Sequence, residues 1–197
     1  MQTQSKTLIR PGTLAQVLQL VKSDNEELRF CMAGFLDNFY TDTRVAGRRS
    51  RLVEDPGLSG TPKLDAFLGA VGEHLCRRWS LGAPPPWTDQ PERFLSHPWF
   101  MGPERMKGFN LAESPSAYRR RMIFTEAEPL RRARMPRDGR WWAYETIRSG
   151  LTPTSQEVSS LQDATKASEQ RRFLDLVPVP DDTFHYSHEI GDDPIRP

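Results

Sequence analysis

A chain of 197 residues can bury one ordinary hydrophobic core and is too short for two full-sized domains. Hydrophobic residues make up only 37% of it and prolines number 17, which puts part of the chain outside that core; no apolar run approaches the ~18 residues of a membrane span, so a transmembrane segment is excluded. The net charge is +1, yet residues 102–148 hold eleven Lys or Arg against six Asp or Glu, and residues 151–197 hold four against nine. That layout reads as a basic surface for an acidic partner, as a tail folded over that surface, or as two separately solvated faces.

Met1 to Arg10 lacks a basic start leading into an apolar run, so no secretory signal is expected. Cys31 and Cys76 both fall inside apolar helical patterns, which suits buried thiols in a reducing compartment and points to a cytoplasmic location.

The first helix is expected from Thr13, a good cap, with Leu14, Val17, Leu18 and Val21 lining one face. A second follows Asp24 and Asn25, its start favoured by Glu26 and Glu27 and its stripe made by Leu28, Cys31, Phe35, Leu36 and Phe39. Val45 and Leu52 then share a short helix with Arg44, Arg48, Arg49 and Arg51, which predicts a cationic exposed side before the break at Asp55, Pro56 and Gly57. The best helix opens with Thr61 as cap and Pro62 at its first position, and buries Leu64, Phe67, Leu68, Val71 and Leu75 before Gly82. It should be central.

Ala83 to Trp87 reads as a stiff polyproline connector. Short helices are expected near Pro91 to Leu95, Pro103 to Ala112, Pro115 to Arg121 and Glu126 to Arg134, the last from a capping-box pattern of Thr125 with Glu128. His97 to Phe100 forms an aromatic turn, with Trp99 and Phe100 as structural plugs. Around Trp141, Trp142, Tyr144 and Ile147 helix and strand are equally open. The boundaries drawn are therefore a helical domain over 1–148, with N-terminal helices in 12–60, and a polar, acidic, largely irregular tail over 149–197 holding at most one weak helix near Gln156 to Phe173.

Catalytic constellations are sparse. His185, His188 and Glu189 form a loose cluster without the third and fourth ligands of a zinc site. His74 and Cys76 stand two apart, which on a helix points them about 200° apart and denies the thiol its base. Gly69 and Gly72 sit inside a helix, where close packing explains them better than a phosphate loop. Glu113 and Glu126 could serve as acid and base, but neither has an assignable partner. No catalytic residue, metal or cofactor is assigned.

The densest stretch runs from Glu113 through Ser114, Pro115 and Tyr118 to Arg119, Arg120, Arg121, Ile123 and Phe124. Ser114 and Pro115 open a short helix, and Tyr118 faces the core. Three consecutive arginines must fan out by about 100° each, so one turns inward to a carboxylate such as Glu113 while others stay free for phosphates or acidic side chains. Arg131, Arg132 and Arg134 extend the candidate binding surface.

Leu64 to Phe67, then Pro91 to Leu95, Pro98 to Phe100, and Glu113 to Phe124 together resemble a widespread bacterial helical domain of antitoxin-like and regulator-associated proteins encoded beside nucleotidyltransferase-type toxins. The match covers residues 61–134. The resemblance implies a small helical partner protein that binds and neutralises a toxin or takes part in regulation. The sequence thus reads as a mainly α chain, a bundle of short helices around one long central helix. Its expected role is non-enzymatic protein interaction; a nucleic-acid binder using the arginines of 119–140, and an enzyme with a scattered site at residues such as His97, Glu113 and Arg120, are the alternatives.

Overall fold

The computed structural model describes residues 10–23 and 27–148. It is mainly helical, with seven α-helices and one two-stranded sheet among those residues. The acidic stretch over 149–197, its expected weak helix and the cluster of His185, His188 and Glu189 lie outside them. Among the described residues no helix is long and apolar enough to cross a membrane.

Helix α1 (Leu14–Ser23) buries Leu14, Val17 and Leu18, and Thr13 caps it as its spacing predicts, its hydroxyl accepting the Gln16 amide at 3.2 Å. Helix α2 (Leu28–Thr41) buries Leu28, Cys31, Met32, Phe35, Leu36, Phe39 and Tyr40. Both stripes enter one shared core.

Helix α3 (Val45–Val53) inverts its expected polarity. Arg48 turns inward over the Phe39 and Trp79 rings, 5.6 and 4.9 Å from their centroids, and donates to the Asp42 and Tyr40 carbonyls. Arg49 reaches the Ala83 carbonyl, and Arg51 donates to that of Gly12 at 3.0 Å. Val45 and Val53 stand outside, 62% and 56% exposed, while Arg48, Arg49 and Arg51 are half-buried and Arg44, just before the helix, stays exposed against Asp42. The predicted cationic face is drawn in, because long guanidinium stems reach backbone carbonyls of neighbouring segments that valine cannot satisfy.

Helix α4 (Pro62–Arg78) is buried on every side from Leu64 to Cys76, so it is the axis of the fold, as its sequence predicts. Thr61 makes no side-chain cap there; the Asp65 carboxylate instead accepts the Ser59 amide at 2.6 Å and the Gly60 amide at 3.2 Å. Two glycines let other elements lie against this helix. A Cβ at Gly72 would meet the Trp87 ring at 2.7 Å, and one at Gly69 would meet Arg121 Nε at 3.0 Å. Gly72→Ala is therefore expected to destabilise by about 1–3 kcal/mol in spite of alanine's better helix propensity. Chemical denaturation checks the sign.

Pro85 is extended as expected, but Pro86–Asp89 closes a 3-10 turn that seats Trp87, whose indole donates to the Leu52 carbonyl at 2.9 Å. The expected helix at Pro91 to Leu95 contracts to a 3-10 turn over Pro91–Arg93. The aromatic turn is a strand: β1 (Trp99–Phe100) pairs in parallel with β2 (Ile123–Phe124), Trp99 opposite Ile123. Between them, Glu104–Met106 forms a 3-10 turn that leads into α5 (Lys107–Glu113), followed by the single turn α6 (Ser116–Arg119).

No helix forms over 126–134. Pro129 lacks the amide a helix needs, and both flanking carboxylates are committed elsewhere: Glu126 accepts the Tyr144 hydroxyl at 2.5 Å, and Glu128 lies 3.0 Å from both Arg78 and Arg140. The open question at 141–147 resolves as helix α7 (Gly139–Arg148), capped by Asp138, whose carboxylate accepts the Trp141 amide at 2.8 Å.

Candidate functional site

The six candidate arginines separate sharply. Arg121 is fully buried and donates to Glu73 Oε2, the Ala117 carbonyl and the Thr88 carbonyl, each at 2.6 Å. Arg120 meets the same Glu73 at 3.2 Å and Asp89 at 2.9 Å. Both guanidinium groups lie over the Phe94 ring, at 5.2 and 4.9 Å. Arg119 donates to the carbonyls of Ala112 and Ser114 at 2.9 and 3.0 Å, closing the end of α5. The inward bridge expected of the triple arginine thus exists, but to Glu73 and not to Glu113.

Arg131 pairs with Glu145 at 2.9 Å and lies over the Tyr144 ring. Arg132 stands 3.5 Å from Asp37. Arg134 is exposed. Four of the six candidates, Arg120, Arg121, Arg131 and Arg132, thus stand against carboxylates, so the free cationic surface is smaller than the count of arginines suggests.

Glu73 is the hub that the sequence did not single out. Burial would raise its carboxyl, but Arg121, Arg120 and Arg77 together outweigh that and hold it below the usual carboxylate range. Arg93 was also missed: it is fully buried, donates to the Trp87, Asp65 and Gly57 carbonyls, and pairs with Asp55 at 3.1 Å. Arg78, likewise buried, joins Glu128 and Asp138 at 3.0 and 2.6 Å. The available signal was charge at positions inside otherwise apolar stripes, which the helical period of α4 makes visible for Glu73 but not for Arg93.

The structural residues take new roles. Trp99 is buried beneath Lys63, 5.2 Å from its ring centroid, and Phe100 stacks on Phe124 at 4.8 Å. Tyr118 packs edge-on to His74, with centroids 5.5 Å apart. Pro115, not Ser114, precedes the α6 turn, and its carbonyl accepts the Tyr118 and Arg119 amides at 3.0 Å. Ser114 instead forms a seam, its Oγ accepting the Thr125 amide at 2.7 Å and lying 3.1 Å from the Thr125 carbonyl.

Glu113 is 8% exposed, and its carboxylate oxygens are closed to solvent with no side-chain donor against them. Burial pushes its carboxyl up to about 8, the Ala127 amide countering in part and the neighbouring Glu126 charge adding to the rise. His74, with burial and then the Arg140 and Arg78 charges against it, is held well below the ordinary imidazole range and is neutral. Cys76 is buried and its thiol is pushed up by burial, the opposite of an activated nucleophile. Among the scattered residues weighed for catalysis, His97 bonds only Ser96 in the contacts seen, at 2.9 Å, while Arg120 and Glu113 belong to separate clusters.

Beyond these clusters, Arg137 is exposed and sits 4.9 Å from the Trp141 ring centroid and 5.8 Å from that of Trp142, with Trp142 46% exposed. Among the described residues no group of three or more His, Cys, Asp or Glu side chains is placed to hold a metal ion. Compared with known proteins, the chain matches no family model, no curated protein and no solved structure.

Proposed function

We propose that this chain is a non-enzymatic protein-interaction module, acting as the antitoxin-like partner of a bacterial toxin of the nucleotidyltransferase type. One observation carries the interaction reading: α3 folds its arginines inward and leaves Val45 and Val53 in solvent. Apolar side chains displayed where the sequence offered charge suit a face that another protein covers. The toxin identity is drawn from the sequence resemblance alone.

Val45→Lys combined with Val53→Lys is expected to leave stability within about 0.5 kcal/mol, because both sites are exposed, and to reduce stoichiometric co-purification of the protein encoded by the adjacent gene. Co-expression followed by size-exclusion chromatography reads both. Recovery of an undiminished complex with the double variant would remove α3 from the interface, and absence of any complex with the wild-type chain would remove the proposal.

A second reading has its own support in Arg137, which lies over the Trp141 and Trp142 rings and with the exposed Trp142 offers cationic and stacking surface of the kind that holds single-stranded nucleic acid. Binding that persists with a steep salt dependence after Trp142→Ser would rule out the stacking part of it.

A further inference from the structure

Helix α5 is built inside out. Its polar residues face the interior: Asn110 is buried and donates to the Met101 carbonyl at 2.5 Å, and Glu113 is buried at its last position. Its apolar and small residues face water, with Leu111 54% and Phe109 39% exposed and Gly108 and Ala112 exposed beside them. At roughly 100° per residue those four cover an unbroken arc of about 160°. A Cβ added at Gly108 would meet no atom within 4 Å, so that side of the helix is open. Polar groups turned in and apolar groups turned out bring a chain folding alone no stability, and the pattern marks a face that something else covers.

The rim of the face says what chemistry the cover has. Arg105 precedes the helix and is exposed, Lys107 opens it half-buried, and Arg119 lies exposed near its far end. Arg119 donates to the Ala112 and Ser114 carbonyls, which are neutral, so its charge is kept. Glu104 offsets Lys107 at 2.7 Å, and Glu113, its carboxyl pushed up to about 8 by burial, carries little charge at neutral pH. An apolar face with a cationic rim fits an apolar segment flanked by acids.

The chain carries such a segment. Residues 173–195 hold six Asp or Glu and no Lys or Arg, with Leu174, Leu176, Val177, Phe184, Tyr186 and Ile190 among the acids. Residues 149–172 separate them from the end of α7, a length that reaches up to about 80 Å, more than the width of a domain of this size. Tethering also presents the segment at an effective concentration on the order of millimolar, so a contact too weak to hold a separate peptide is filled within the chain.

We propose that the α5 face of Phe109 and Leu111 is the docking site for the acidic, apolar segment 173–195 of the same chain, with Arg105 and Arg119 meeting its carboxylates. A second copy of α5 is a poor occupant, because two cationic rims repel. The contact covers apolar surface and brings the basic stretch over 102–148 against the acidic one over 151–197.

The test uses the full chain with a nitroxide on Ser187→Cys; the thiols of Cys31 and Cys76 are buried and stay unlabelled. Amide signals of Gly108, Phe109, Leu111 and Ala112 are expected to lose intensity about twofold or more against the reduced label, equally at about 50 μM and about 500 μM protein, since a tethered contact does not depend on concentration. Raising salt from about 50 mM to about 500 mM should restore part of the signal. Phe109→Glu with Leu111→Glu is expected to abolish the broadening, and Asp181→Lys with Asp182→Lys, which leaves α5 untouched, to weaken it. Full intensity at α5, or broadening that survives both variants, would overturn the docking. So would broadening confined to the concentrated sample, which places the segment on a second copy. Full α5 intensity in a chain whose Phe109→Glu form loses its co-purified partner would give the face to that partner, and the proposal would fall while the interaction reading stood.

Discussion

Replacing Arg121 with methionine is expected to cost the fold about 3–5 kcal/mol, the range for breaking one side of a buried ion pair. The loss follows from what the guanidinium does. Arg121 lies across α4 at Gly69, neutralises Glu73, and satisfies the Ala117 and Thr88 carbonyls; methionine fills its volume but leaves a carboxylate and two carbonyls in the interior. Arg120 shares Glu73 but keeps 41% of its side chain in solvent, so Arg120→Ala should cost under about 1 kcal/mol. Urea unfolding of the two variants separates a structural arginine from a surface one. If they lost equal stability, the idea that the triple arginine divides into an inner and an outer member would fail. Adding Glu73→Leu to Arg121→Met should recover a good part of the loss, since the unpaired charge is then gone.

Glu113→Gln is expected to stabilise the chain, and to do so more as pH rises. The sign follows from linkage. The Glu113 carboxyl is raised to about 8 in the folded protein from an ordinary value of 4.5, so between those values the native state holds a proton that the unfolded chain releases. Its contribution to stability is complete below the unfolded value and is lost as pH climbs toward the folded one. Glutamine mimics the protonated acid and carries no such loss. Near pH 8 the variant should lead by about 2 kcal/mol, roughly half of what the whole shift would carry, because the surroundings relax around the charge when it forms. Denaturation midpoints at intervals from pH 5 to pH 8 give the curve; parallel profiles for the two proteins would show that Glu113 is not held neutral.

These two variants act on residues of very different legibility. Glu113 stood out in sequence as a member of a dense motif and as the carboxylate that an inward arginine would meet. That no arginine meets it was not legible, because the inward arginine that local geometry assigned to it goes to Glu73, 48 residues away in the chain. Arg93 shows the same limit. A charged residue in a proline-flanked turn reads as solvated, and only the arrival of Trp87, Asp55 and Gly57 around it makes it a buried cross-brace.

The segment over 126–134 shows how local signals lose. Thr125 and Glu128 match a helix start, worth about 1–2 kcal/mol at most. Glu128 instead meets Arg78 and Arg140, Glu126 meets Tyr144, and the Leu130 carbonyl accepts the Tyr40 hydroxyl at 2.8 Å. Several buried, charge-assisted contacts outweigh one cap.

The sequence by itself determined the helices α1, α2 and α4, their buried stripes, the tight packing at Gly69 and Gly72, and the mainly helical class, because apolar periodicity and helix-start chemistry act within a few residues of one another. Only the tertiary structure decided where the arginines point, which carboxylate each one meets, that the chain around Trp99 pairs as a strand with Ile123, and that α3 shows valines to solvent. Those outcomes depend on desolvation and on charges brought together from distant parts of the chain, and a residue's neighbours in sequence carry no record of either.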